Sequence, residues 1–397
     1  MRYVPCAVID STLREGEQFA RASFSPAQKI QIARALDAFG VEYIEVTSPC
    51  ASPQSFEDCR AIVGLGLRAK ILTHTRCHMD DVQRALAAGV DGINLVLGTS
   101  SFLREFSHGK SIDAVIQAAT EVITFLQQFP VEVRFSCEDS MRTSIDDLLR
   151  VYRAVDALGV DRVGIADTVG AGTPRQIYDL VSRVRAEVQC GIEFHGHNDT
   201  GCAVANAFAA WEAGATHIDT TVLGIGERNG IAPLSDWVAR LHATAPRLTA
   251  HYHLPGLVGL DRLVAEMIGL EIPFTGCVTS FCAFTHKAGI HTKAVINHPQ
   301  TYEILAPEAF GLTREILTGH RLTGWNAVAA RGEALGVHLC PDEARSVARF
   351  IKAISDRGPL NQDQVDQCIL TMVPRADAHP VSAVVAESEV AYVHSVS

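Results

Sequence analysis

Short β-branched runs alternate with stretches whose apolar residues recur every three to four positions, and this alternation organises the first 230 or so residues. The runs lie at 7–11, 43–48, 69–74, 92–98, 131–136, 162–167, 191–197 and 217–223. Helix signals sit between them: Ser25-Pro26 opens 27–39 and Gly40 closes it, Ser111 opens a stretch reaching Phe129-Pro130, Ser144 opens 145–158, and Thr173-Pro174 opens the segment to Val188. Eight β-then-α units of nearly constant length, roughly 30 residues each, predict an α/β fold of the closed (β/α)8 TIM-barrel type rather than an open doubly wound sheet.

The repeat stops after Asn229. The expected organisation is a TIM-barrel catalytic domain over 1–260, a linker and lid subdomain over 261–306 with a polar, His-rich stretch, and a helical C-terminal subdomain over 307–397 without strands. The tail from about Val373 has no clear periodicity and is expected to be partly disordered.

Composition narrows the function classes. With 47% hydrophobic and 20% charged residues the chain is an ordinary folded protein, and its net charge of -11 argues against nucleic acid as partner. Eleven cysteines without a C-x-x-C pair fit reduced thiols. No apolar leader and no apolar window of about 18 residues is visible, so neither secretion nor membrane insertion is expected, and the predicted compartment is the cytoplasm.

Barrel active sites lie at the C-terminal strand ends, and polar residues gather there. Strand 1 runs into Asp10-Ser-Thr-Leu-Arg14-Glu15-Gly-Glu17-Gln18, and strand 7 ends His195-Gly-His197-Asn-Asp199. Two residues apart on a strand, His195 and His197 project from one face, as neighbouring ligands of a divalent metal do. Strand histidines also arise merely to satisfy hydrogen bonds. Glu15 or Asp10 would supply the third ligand. Zinc, manganese or magnesium would fit such a set.

On strand 5, Arg134, Ser136 and Glu138 share a face, which is either an internal salt-bridge ladder or a holder for a substrate carboxylate with a proton-handling Glu. Strand 3 adds His74, Arg76 and His78 at one parity, strand 2 adds Glu45 and Thr47, and strand 6 ends at Asp167-Thr168. Such a mouth suits a small, doubly anionic, oxygen-rich substrate. The loop Gly224-Ile-Gly-Glu-Arg228-Asn-Gly230 has the wrong spacing and place for a dinucleotide fingerprint, although it could receive a phosphate or pantetheine arm. Beyond the repeat, Phe284-Thr-His286-Lys287-Ala-Gly-Ile-His291-Thr-Lys293 reads either as a lid over the mouth or as a solvated loop.

At these residues the chain resembles the family of metal-dependent barrel acyl-CoA synthases and lyases related to 2-isopropylmalate synthase, and most of all its homocitrate synthase branch. The resemblance rests on DSTLREGEQF at 10–19, YIEVTSP at 43–49, LTHTRCHMDD at 72–81, LGTSSFLREFSHGK at 97–110, VRFSCEDS at 133–140, GIADTVG at 164–170, EFHGHNDTGCA at 193–203, LGIGERNGI at 223–231 and FTHKAGIHTKA at 284–294.

It implies a Claisen-type condensation of acetyl-CoA with 2-oxoglutarate to homocitrate and CoA, an acyl transfer in amino-acid (lysine) biosynthesis. Glu15, His195 and His197 would be the metal ligands, and Arg14 would stabilise the developing alkoxide. Arg134 and Thr168 would contact the carboxylate beside the 2-oxo group, and His74 and Ser136 the distal one, with Gln18 and Glu45 also in the substrate site. His291, assisted by Glu138, would deprotonate acetyl-CoA, and Tyr302 would complete the lid. A homodimer with exchanged lids is implied too.

Ile231 stands where leucine-pathway synthases usually carry Asn. Asn94 stands where lysine-regulated members usually carry Asp, while Glu193, the other acidic contact, remains, so weak or absent inhibition by lysine is expected. The same mechanism on oxaloacetate or phosphonopyruvate, giving citrate or 2-phosphonomethylmalate, is the alternative. A related barrel acyl-CoA lyase or aldolase, or a non-enzymatic binding barrel, fits the residues less well.

Overall fold

In the computed structural model, which describes residues 4–372, the eight expected strands close into a parallel barrel in chain order. They are β1 Ala7–Leu13, β2 Tyr43–Val46, β3 Lys70–Arg76, β4 Gly92–Gly98, β5 Glu132–Glu138, β6 Arg162–Asp167, β7 Gly191–Gly196 and β8 His217–Thr220. Closure is set by β1, whose Ile9 faces Tyr43 of β2 on one side and Asp219 of β8 on the other. A register shift between Asp10 and Leu13 turns the end of β1 toward the mouth, where Arg14 and Glu15 follow.

The helices after the strands are α1 Pro26–Phe39, α2 Pro53–Val63, α3 Met79–Ala88, α4 Ile112–Leu126, α5 Ile145–Ala157, α6 Pro174–Glu187, α7 Ala203–Glu212 and α8 Leu234–Thr244, and α9 Leu257–Ile268 packs on α1. Their starts follow the signals in the chain. Ser25 with Gln28 and Thr173 with Gln176 form reciprocal capping boxes, each followed by proline. Gly40, at φ +106°, ends α1 in the left-handed conformation that a side chain would oppose.

Period-two alternation splits every strand into two chemistries. Outward residues such as Ile44, Ile71, Leu95, Phe135, Ile165, Phe194 and Ile218 form the core with the helices. The inward set includes Glu45, Asn94, Arg134, Arg162, Glu193 and Asp219, all buried, where barrels usually pack branched aliphatic side chains. A charged lumen of this kind costs desolvation free energy and serves the site above it.

By compactness the chain forms two units, one of residues 4–284 with 304–313, the other of 285–303 with 314–372. The second has its own small core of Val328, Leu339, Val347, Ile351, Val365 and Ile369. It contains α10 Gly289–Asn297, α11 Trp325–Ala334, α12 Pro341–Ile354 and α13 Gln362–Met372. The region beyond 307, expected to lack strands, does contain one. Glu315–Ile316 (β10) pairs in parallel with Thr285–His286 (β9), a ladder too short to leave any periodicity in the sequence. The tail from Val373 lies outside the described residues. No helix among the described residues is long and apolar enough to cross a membrane.

Candidate active site

The end of β1 and the end of β7 bring three ligand-type side chains together. His195 Nε2 and His197 Nε2 are 3.2 Å apart, and the Glu15 carboxylate lies 3.9 Å from the first and 4.0 Å from the second. The three ligand atoms fall within 4.8 Å of one another, and all three residues are buried. Burial and the nearby Arg14 push His195 down to about 4, and burial with His195 itself does the same to His197, so both imidazoles are neutral and offer lone pairs.

The surroundings fit a cation. In the lumen Glu15, Glu45, Glu193 and Asp219 outnumber Arg14, Arg134 and Arg162, and burial drives the Glu193 and Asp219 carboxyls up to about 7. A divalent ion at the converging donors would relieve that excess of carboxylate. Glu15, not Asp10, is the carboxylate that clusters with the two histidines. Asp10 instead accepts from the Thr12 amide at 2.9 Å, and burial pushes it up to about 7.

Arg14 is fixed from two sides, by Glu15 and by Glu45, each at 2.6 Å. Glu45 is wholly buried and lies behind the cavity wall. Ser11 donates to it at 2.9 Å and Asn94 at 2.5 Å, and His74 Nδ1 lies 3.6 Å away. Its oxygens are therefore engaged by the protein, and it sets the aim of Arg14.

A cavity of about 220 Å³ lies in front, lined by Arg14, Glu15, Gln18, His74, Arg134, Ser136, Glu138, Thr168, His195 and His197. It has room for a small dicarboxylic acid. Arg134 gives one nitrogen to Glu193, while its Nε and Nη1 have no partner among the described residues. Each of these buried N–H groups can donate one charge-assisted hydrogen bond to an anionic oxygen. Burial and the neighbouring Asp139 hold the Glu138 carboxyl above the usual range. A larger groove of about 800 Å³, with Val204, Phe208, Arg240 and Pro273 in its walls, contains none of these residues.

His291 and Tyr302 belong to the second unit, where their rings lie 4.5 Å apart. There Glu303 accepts from Arg314 Nε at 2.7 Å and pairs with His286 at 2.8 Å.

Several expected site residues lie elsewhere. Arg76, the last residue of β3, is exposed and pairs with Asp81 at 2.8 Å, and His78 lies past the strand end at the N-cap position of α3, where alternation no longer applies. Thr47 donates to the Leu13 carbonyl at 3.1 Å, and Asp167 caps the amides of Ala171 and Gly172. The glycine-rich loop after β8 touches Glu15 and also lines a separate cavity of about 250 Å³ with Phe19, Leu270 and Pro273. The Glu227 amide donates to Glu15 Oε1 at 2.7 Å, and a Cβ on Gly226 would lie 2.6 Å from that oxygen. Alternation in β8 could have exposed Asp219, an inward acid that meets His195 at 2.9 Å. The Glu227 contact spans 212 residues and leaves no local signal.

Residues 6–264 match the family model described as HMGL-like, and 278–359 match the homocitrate synthase post-HMGL domain-like model. The mitochondrial homocitrate synthase of Schizosaccharomyces pombe is 56% identical over 91% of this chain and 87% of its own length. The chain belongs to the homocitrate synthase family. The cytosolic homocitrate synthase isozyme of Saccharomyces cerevisiae is 54% identical over 91% of this chain and 85% of its own. Among solved structures, the HMG-CoA lyase of Bacillus subtilis superposes with a TM-score of 0.60 at 20% identity, covering 69% of this chain and 97% of its own, which speaks for the barrel fold alone.

The homocitrate synthase relatives overturn the cytoplasmic expectation, since the family includes proteins named mitochondrial as well as a cytosolic isozyme. Reduced thiols suit both compartments. Mitochondrial transit segments are amphipathic, so a search for an apolar segment does not bear on them.

Proposed function

We propose that this chain condenses acetyl-CoA with 2-oxoglutarate to give homocitrate and free CoA, with a divalent cation held by Glu15, His195 and His197. The observation that carries the reading is the Arg14–Glu15–His195–His197 cluster at the barrel mouth, in a chain 56% identical to a homocitrate synthase over 91% of its length. When bound, the cation supplies Lewis-acid polarisation to the 2-oxo acid.

The chain's own groups do the rest. Arg14, aimed by Glu45, donates toward the carbonyl oxygen as it gains negative charge. Arg134, which keeps unpartnered N–H groups, binds with Thr168 the carboxylate next to the 2-oxo group. His74 and Ser136 take the distal carboxylate, and Gln18 closes the rim. His291 removes a methyl proton from acetyl-CoA, supported by Glu138, and the Tyr302 ring lies tilted against that imidazole. The carbanion attacks the carbonyl carbon, and hydrolysis of the resulting thioester releases CoA. The same reading includes a homodimer in which each lid serves the partner's site.

The buried Asn94 amide, bonded to Glu45, is neutral and offers no countercharge to an ammonium group, which supports weak inhibition by lysine. Thiol release with acetyl-CoA and 2-oxoglutarate, oxaloacetate or phosphonopyruvate, with products identified by mass spectrometry, tests the proposal. Homocitrate formed in a chelator-sensitive reaction supports it. Turnover of only the shorter or phosphonate substrate sinks the substrate assignment, and full activity after chelation sinks the metal.

A further inference from the structure

The two histidines of the site are not held alike. His195 Nδ1 lies 2.9 Å from Asp219 Oδ2, with both residues buried. A ligating histidine donates its other ring N–H to such a carboxylate, which leaves Nε2 to present its lone pair toward His197 and Glu15. His197 Nδ1, by contrast, is buried with no hydrogen-bond partner among the described residues. The tautomer and ring angle of His195 are thus fixed by the protein. His197 Nδ1 has no such carboxylate among the described residues.

Asp219 is itself fixed. It sits in β8 with its backbone in register with Ile9 of β1, and its Oδ2 is 3.8 Å from Arg134 Nη2, the guanidinium that also engages Glu193. One carboxylate oxygen therefore faces both a metal-donor ring and the arginine placed at the substrate cavity.

We propose that Asp219 is a positioning residue that presets His195 as a metal donor and couples the metal position to Arg134. The inference rests on Glu15, His195 and His197 being the cation site. A carboxylate behind a ligating histidine fixes the ring and raises its basicity, and loss of such a partner costs about 10- to 100-fold in metal affinity.

The test uses the full-length, metal-stripped protein and Zn²⁺ as the probe, titrated in competition with a chromophoric chelator. Asp219→Asn keeps the shape but not the charge, and is expected to weaken Zn²⁺ binding at least about tenfold while the melting temperature of the metal-stripped protein stays within a few degrees. Zinc affinity within twofold of wild type in that variant overturns the proposal, and so does a loss of stability with affinity unchanged. A second measurement needs no variant of Asp219. In ¹⁵N-detected spectra of the metal-stripped protein, assigned with His195→Gln, the His195 proton is expected on Nδ1, and a proton on Nε2 overturns the proposal. Failure of the underlying reading looks different: wild type would then bind no Zn²⁺, or Glu15→Gln would bind it as tightly as wild type.

Discussion

Replacing Gly226 by alanine tests how closely the loop after β8 supports Glu15. The backbone at Gly226 lies outside the left-handed region, so alanine is conformationally acceptable there, but its Cβ would sit 2.6 Å from Glu15 Oε1, 2.9 Å from Glu15 Cγ and 3.0 Å from the Gly230 Cα. An uncrowded carbon–oxygen contact needs about 3.3 Å, so the carboxylate must retreat by roughly 0.7 Å or the loop must open. Either movement disturbs the 2.7 Å bond from the Glu227 amide that fixes Oε1.

Catalytic groups tolerate about 0.5 Å of displacement, and about 1 Å costs on the order of 100-fold. Gly226→Ala is therefore expected to lower kcat/KM for 2-oxoglutarate by about 10- to 100-fold and to weaken metal binding in parallel. Global stability should fall by about 1–3 kcal/mol, the usual cost of overpacking. Gly259→Ala in α9, where a Cβ meets nothing within 4 Å, is the matched control. Steady-state thiol release and a metal titration on both variants decide the matter. If Gly226→Ala keeps both values within twofold of wild type, the loop does not position Glu15.

Three further outcomes are expected. Glu15→Gln should abolish metal-dependent thiol release and metal retention on gel filtration, and retained metal with wild-type turnover would remove Glu15 from the site. His291→Ala should lower kcat about 10²- to 10⁴-fold and leave metal affinity unchanged, whereas a proportional loss of metal would argue that it acts on the fold instead. Asp261, buried beneath the Thr279 hydroxyl at 2.6 Å, is pushed by burial up to about 6. Its folded proton affinity exceeds the unfolded one, so its contribution is fullest below about pH 4 and is lost as pH rises through 6, a swing of about 3 kcal/mol. Asp261→Asn should flatten the urea-midpoint profile between pH 4 and 7, and parallel profiles would contradict this.

The barrel was legible because strand alternation has a period of two and each helix start carries its own cap, so Ser25, Ser111, Ser144 and Thr173 mark boundaries that the structure reproduces within a few residues. The same alternation brought His195 and His197 to one face and Arg134 with Ser136 to another, and the structure places all four at one cavity. Alternation does not say where a strand stops, so it carries His78 to the mouth although β3 has ended, and it does not show that Arg76, the last strand residue, turns out to Asp81. Nor does it report contacts between distant segments. Glu45 was read as touching substrate, yet its oxygens face Ser11, Arg14 and Asn94. The loop at 224–230 was read for its glycines, whose use here is to let a chain segment 212 residues away from Glu15 reach its carboxylate. The lumen shows the cost of the site: a barrel interior that could be aliphatic instead holds paired and unpaired charges such as Arg134, Arg162 and Glu193.

The most direct test of the central claim is the ratio of kcat/KM for 2-oxoglutarate to that for oxaloacetate, measured as CoA release at saturating acetyl-CoA with metal present. The two acids differ by one methylene between their carboxylates, so they discriminate how far His74 and Ser136 stand from Arg134. A cavity shaped for the longer acid is expected to favour 2-oxoglutarate by at least about tenfold and up to about 200-fold. A ratio at or below one would contradict the assignment of this chain as a homocitrate-forming enzyme.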